Sequence, residues 1–281
     1  MLLAVALNIR NNQTQLCVMI HQQGQTMSEI PKLDLKKKVS AEEWQVRLDL
    51  AACYRLVAHF GWDDLIYTHI SARVPDTETY LVNPYGLRFD EVTASNLVRV
   101  NLKGEVIGNS PFPINPAGFT IHSAIHEVRH DAACVMHLHT NATVAVASLQ
   151  DGLLPISQYA MFILPSLSYH DYEGLAVESD EKKRLQEDLG ESYFMLLRNH
   201  GGLTLGPSIG DAFMHMYDLM RACEIQLMIQ STGQTITPIP DEIVQNICQQ
   251  ASVVNLGSTG GQIAWPAMYR KAKQIAPDFE Q

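Results

Sequence analysis

In the run Val135-Met136-His137-Leu138-His139, two histidines stand two residues apart inside an otherwise apolar stretch. From Ala133 to His139 the composition is that of a strand, and side chains two apart on a strand leave the same face. Both imidazoles therefore project from one side of a sheet, where rings without polar partners are costly to bury. A pair of structural histidines satisfies that pattern, and so does a metal site. His200 favours the second reading. It follows another apolar strand in Arg198-Asn199-His200-Gly201, and Gly201-Gly202 permit a tight turn and a close approach. Three protein nitrogens with a fourth position open is the arrangement of a catalytic zinc rather than a sealed structural one. Capture requires neutral imidazoles, so metal is predicted to be lost as pH falls through the histidine range, to about pH 4.5.

The rest of the chain mixes helices and strands without strict alternation. Ser40-Ala41-Glu42-Glu43 has the capping-box pattern and opens a helix that Gly61 stops. Tyr67–Val74 alternates as a strand, with Tyr67, His69, Ser71 and Arg73 on one side. Thr79–Val82 reads as its partner. Val98–Leu102 and Glu105–Ile107 read as a hairpin around Lys103-Gly104. Helices are predicted over Gly118–Val128, Thr140–Leu149, a segment capped by Ser179 and running to Leu189, and a Met-rich segment from Ser208 to Ile229. Short strands are predicted at Leu167–His170, Tyr193–Arg198 and Leu203–Leu205. The pattern predicts an α/β fold, a three-layer α/β/α sandwich around a mainly antiparallel sheet. Residues 1–35 read as a loosely ordered N-terminal extension, with Met27 placed where a later start would fall. Residues 36–235 read as the main domain, and 236–281 as a tail packing on the body or on a neighbouring subunit.

The balance of charge narrows the function. A net charge of -10 disfavours nucleic acid and anionic membranes as partners. No run is long enough to span a bilayer. Cys17, Cys53, Cys134, Cys223 and Cys248 are odd in number and widely spaced, as buried thiols of a reducing compartment are. A cytoplasmic protein is expected.

Seven segments together resemble the class II aldolase/adducin family, over roughly residues 40–235. They are Pro84-Tyr85-Gly86, Val92–Val98, Asn115–His122, His137–His139, Gly152–Ser157, Tyr169–Tyr172 and Arg198–Gly201. Several match the adducin head more closely than the sugar-phosphate aldolases. The resemblance implies a homotetramer with active sites between subunits. It also implies zinc, or another divalent metal such as Mn2+, Fe2+ or Co2+, on His137, His139 and His200. In the aldolases such a metal stabilises developing negative charge on the substrate oxygens, while a glutamate beside it moves the proton.

Here the resemblance breaks. Counting back from His122 puts Gly118 at the glutamate's place, and glycine transfers no proton. Two phosphate-binding serines of the family correspond to Pro116 and Ala117, its Gly-Asn pair to Thr68 and His69, and a turn threonine to Asn83. Ser71, Arg73 and Gly86 persist, and Ser71 and Gly86 are expected at the substrate. Substitute acid/base groups are His69, His122, Glu127 and Tyr159. Tyr159 follows Pro155 at the spacing of a tyrosine that enters the neighbouring subunit's site as a proton donor, and it is expected to be catalytic. An interface or core aromatic is its plainer reading.

Two functions of different kind follow. The first is an aldehyde-lyase that performs aldol cleavage or enolisation on a small, non-phosphorylated carbonyl compound. The second is a non-catalytic, adducin-like binding module. A sensor that uses the metal only to hold a carboxylate or diol is a third. The chain carries no lysine-rich segment after the head-like region, so actin is not expected as a partner.

Overall fold

A computed structural model describes residues 29–174, 179–240, 242–244, 246–247, 250 and 260–281. The expected extension therefore lies outside the described residues up to position 28. No described helix is long and apolar enough to cross a membrane.

Helix α1 (Ala41–Phe60) starts where the Ser40 hydroxyl accepts from the Glu43 amide at 3.1 Å, and it ends at Gly61. The predicted reciprocal bond from Glu43 does not form. Its carboxylate is buried and ion-paired at 2.8 Å with both Arg47 and Arg99. Arg47 in turn donates to the Ala94 and Leu97 carbonyls. A buried carboxylate between two guanidiniums prevails over an exposed cap, because an uncompensated buried charge costs more than a lost cap.

Among the described residues the strands are β1 (His69–Arg73), β2 (Thr79–Val82), β3 (Val98–Asn101), β4 (Cys134–Leu138), β5 (Leu167–His170), β6 (Phe194–Leu197) and β7 (Gly201–Gly206). They form one sheet in the order β3-β2-β1-β4-β7-β6-β5. Every junction is antiparallel except β5–β6. At the centre, His69 of β1 faces His137 of β4 across the ladder, and Leu138 faces Gly202 of β7. The hairpin expected beyond β3 is only partly made. After Asn101 the chain returns with a single bridge, Val100 to Val106. The Asn101 side chain accepts from the Lys103 and Glu105 amides, so the turn satisfies itself and needs no second strand.

Side-chain alternation gives the sheet two apolar faces. One packs Val135, Met195, Leu197, Leu203 and Leu205 against α2 (Pro116–Val128) and α5 (Ser179–Leu189). The other, larger face buries Ile70, Met136, Leu138 and Leu196 under α1, α3 (Asn141–Ala147), α4 (Gln158–Ile163) and α6 (Ile209–Ser231). The result is the expected three-layer sandwich. Each buried Leu or Ile contributes about 1.5–3 kcal/mol, which makes the central strands a rigid base for whatever their histidines do.

Part of the C-terminal segment packs on the body of the chain. Helix α7 (Gly261–Ile275) packs on α1 and α6, and Trp265 Nε1 donates to Asp49 at 2.8 Å. Asp278 pairs with Arg55, and the Ala94 and Ser95 amides donate to the Phe279 and Gln281 carbonyls.

Candidate metal centre

His137 projects from β4 toward the α2 layer, on the same side as Val135. His139 lies just past the strand end, which comes at Leu138. The predicted same-face relation nevertheless holds, because the two Nε2 atoms are 2.9 Å apart. His200 enters from the turn between β6 and β7. Its Nε2 stands 3.3 Å from that of His137 and 3.0 Å from that of His139. A Cβ on Gly201 would fall 2.6 Å from the Leu138 carbonyl, so only glycine lets this turn close against β4.

The opposite ring nitrogens decide what the three Nε2 atoms can be. His137 Nδ1 lies 3.1 Å from the Gly202 carbonyl, and His139 Nδ1 lies 3.1 Å from an Asp64 carboxylate oxygen. Both partners only accept, so both Nδ1 atoms carry the proton. A neutral imidazole protonated at Nδ1 has a bare lone pair at Nε2. Two such lone pairs thus point at each other across 2.9 Å, with a third imidazole nitrogen beside them. That is unfavourable unless a cation sits among them. Nitrogens this close all reach an ion that bonds at about 2.0–2.1 Å, so the donor set fits zinc or a similar divalent metal. Among the described residues this is the cluster that could hold an ion.

Burial disfavours the charged form of His137 and of His200. It holds His137 well below the usual imidazole range, helped by the neighbouring His200, His139 and His69. His200 is pushed down to about 4, mainly by burial and then by His139. The backbone next to the cluster is also unusual. Leu65, beside Asp64, and Asn199, beside His200, adopt φ of +50° and +57°. Strain of this kind persists where the surroundings impose it, and it gathers at functional sites.

Behind His137 runs a second histidine array. His69 Nδ1 lies 2.7 Å from His122 Nε2, His122 Nδ1 lies 2.5 Å from Ser71 Oγ, and Ser71 Oγ lies 2.7 Å from His126 Nε2. All four residues are buried. Desolvation takes His69 and His122 well below their usual range and His126 down to about 3. Ser71 was expected at the substrate, but its hydroxyl is taken up by His122 and His126. Arg73 donates to the His126 carbonyl at 2.5 Å.

The space around Gly118 is filled. An ideal Cβ there would lie 2.4–2.8 Å from three atoms of the His69 ring. Gly118 and His69 thus form a matched pair, with the ring standing where a side chain on α2 would start. Gly86 sits exposed in the turn after Pro84, with nothing within 4 Å of a Cβ position. Tyr159 lies on α4, in the opposite layer from the triad, half-buried and 6.4 Å from the Tyr217 ring. The chain therefore brings the three histidines together and leaves Tyr159 apart from them. Glu127 is held by Lys182 and Gln186 near the surface.

Sequence reasoning missed Asp64, which is 75 residues from the ring it orients. It also missed His126, although the four-residue spacing from His122 on a helix placed both on one face.

The family described as Class II Aldolase and Adducin N-terminal domain matches residues 48–227. A protein of Pseudomonas aeruginosa that carries a class 2 aldolase name is 56% identical over 250 residues, covering 88% of this chain and 96% of the relative. Alpha-adducin of Rattus norvegicus is 47% identical over 186 residues, which is 65% of this chain but 25% of adducin. The solved L-fuculose 1-phosphate aldolase of Glaciozyma antarctica superposes with a TM-score of 0.75 at 25% identity, covering 90% of this chain and 97% of that one.

Proposed function

This chain belongs to the class II aldolase and adducin family, and from that premise we propose that it is a metal-dependent aldehyde-lyase. In this reading His137, His139 and His200 hold a divalent ion, zinc or else Mn2+, Fe2+ or Co2+. The reaction is aldol cleavage or enolisation of a small carbonyl compound without a phosphate. The observation that carries the reading is the convergence of three Nε2 atoms within 3.3 Å, two of them deprotonated by the bonds their rings make elsewhere.

Bound there, a divalent ion supplies Lewis-acid polarisation of a carbonyl oxygen. The chain's own residues supply the rest. The Gly202 carbonyl and Asp64 fix the tautomers and orientation of two ligands, as outer partners of metal-bound histidines do. Position 118 offers no carboxylate, and the His69 ring fills the space in front of it. Of the substitute groups, His69 is thus the one standing in the place of a side chain on α2, and its Nδ1 is engaged by His122. Tyr159 would act from a neighbouring copy in a cytoplasmic homotetramer. The absence of a phosphate is supported by Ser71 and Arg73. The Ser71 hydroxyl is engaged by His122 and His126, and Arg73 Nη2 donates to the His126 carbonyl.

The similarity to alpha-adducin and the glycine at position 118 favour a second reading, a non-catalytic binding module. Elemental mass spectrometry on protein purified without added metal separates the two. Close to one divalent ion per chain, followed by turnover of an aldol substrate, is expected for the lyase. Little metal even after incubation with excess would overturn it and leave the module.

A further inference from the structure

The segment Tyr169–Tyr172 ends β5 in a polar cluster that the metal centre does not use. His170 is 3% exposed. Its Nδ1 lies 2.7 Å from an Asp188 carboxylate oxygen, so that nitrogen donates. Among the described residues its buried Nε2 has no hydrogen-bond partner, and Glu181 Oε1 stands 3.8 Å away. Both groups line a small cleft, together with Asp171, Leu185 and His200.

Among the described residues neither His170 Nε2 nor Glu181 Oε1 receives a hydrogen bond that matches it, and the two stand side by side. With Nδ1 protonated, a neutral His170 presents a lone pair at Nε2, and the Glu181 carboxylate also only accepts. A buried acceptor pair of this kind calls for a partner. Glu173 is already held by Arg184, which leaves Glu181 and Asp171 to set the charge of the wall. Arg198 belongs to the same wall, but its guanidinium is committed over the Tyr169 ring at 4.2 Å and to the Leu149 carbonyl at 2.7 Å. The lining residues thus set three carboxylates, Asp171, Glu173 and Glu181, against one guanidinium.

We propose that the cleft binds a primary ammonium group, donated to His170 Nε2 and to the Glu181 carboxylate. An ammonium supplies three N–H donors and a positive charge, whereas a hydroxyl supplies one donor and none. His200 belongs to both the cleft and the metal-ligand triad. A substrate whose carbonyl oxygen sits at the triad therefore places its amino end in the cleft, which makes it an amino-carbonyl compound. That last step rests on the lyase reading; the ammonium site does not.

The test is 15N-histidine NMR of metal-free protein titrated with ethylammonium, ethanol and acetate, with the His170 signals assigned through His170→Asn. Ethylammonium is expected to shift the His170 ring resonances saturably, and ethanol and acetate to leave them in place. In Glu181→Gln the affinity should fall about tenfold or more with the thermal midpoint kept. No saturable shift overturns the site, as does an equal response to ethanol. So does a ligand-free His170 that is already doubly protonated at neutral pH, because the ring would then bridge Asp188 and Glu181 by itself. Metal content of the same protein is scored separately. Zinc uptake without an ammonium response refutes the cleft alone, and the converse refutes the metal centre alone.

Discussion

Replacing Gly118 by alanine places one methyl group at the start of α2, against the His69 ring. The ideal Cβ stands 2.4 Å from Cδ2, 2.6 Å from Nε2 and 2.8 Å from Cγ, where carbon contacts settle at about 3.5–4.0 Å. The ring has little room to retreat. It is buried, its Nδ1 is tied to His122 at 2.7 Å, and β1 is paired on both sides. Alanine gains up to about 1 kcal/mol over glycine in helix propensity. Overpacking costs about 1–3 kcal/mol, and an overlap near 1 Å puts this site toward the upper end. The expected net loss is about 1–2 kcal/mol, or roughly 2–8 °C in the midpoint for a chain of this size. Urea unfolding of Gly118→Ala, His69→Ala and the double variant gives the coupling directly. Removing the ring removes the clash, so the two changes should fail to add by about 1 kcal/mol or more. A Gly118→Ala protein as stable as the parent would refute the matched-pair reasoning, as would changes that add within about 0.5 kcal/mol.

His137→Ala and His139→Ala should each abolish stoichiometric metal and keep the circular dichroism of the parent; global unfolding of either would mark the site as structural. Asp64→Ala should weaken metal affinity by about 10–100-fold, the usual loss for an outer partner. Unchanged affinity by competition with a chromophoric chelator would remove Asp64 from the centre. Acid should destabilise the metal-free protein. The folded pKa of His126 is about 3 against an ordinary 6.5, and His69, His122 and His137 are also held low. The unfolded chain therefore binds protons that the folded one refuses. The stability lost begins near the unfolded value and grows until the folded value is reached. At about pH 5 the His126 ring alone costs about 2 kcal/mol, and the other three act in the same direction, so a urea midpoint that does not fall between pH 7 and pH 5 would contradict the neutral-histidine assignment.

Much of the sheet was legible because its alternation is strict. Thr79–Val82 and Leu167–His170 form with the bounds their composition predicts. The hairpin after β3 was over-read, because a loop that closes on one asparagine side chain looks in sequence like a turn between strands. At the site, His137 and His139 announce themselves by spacing, whereas His200, 63 residues from His137, is marked only by its place between an apolar strand and Gly201-Gly202. The fate of Ser71 was not legible. Its spacing on the strand gave the correct face, but only packing reveals that His122 and His126 of α2 reach it first. Asp64 was invisible for the same reason, since a hydrogen bond between distant loops leaves no periodic trace.

The pairing of β1 with β4 sets His69 against His137, Ile70 against Met136 and Ser71 against Val135. Polar and apolar residues alternate along β1, and a slip by one residue would turn every side chain of that strand to the wrong face. His69 and Ser71 would then enter the apolar layer beneath α1, while Ile70 would displace an imidazole from its hydrogen-bonded neighbours. The histidines at the centre of the sheet therefore proofread its assembly. A chain relieved of His69 and Ser71 would lose some of its protection against misregistered strands while it folds.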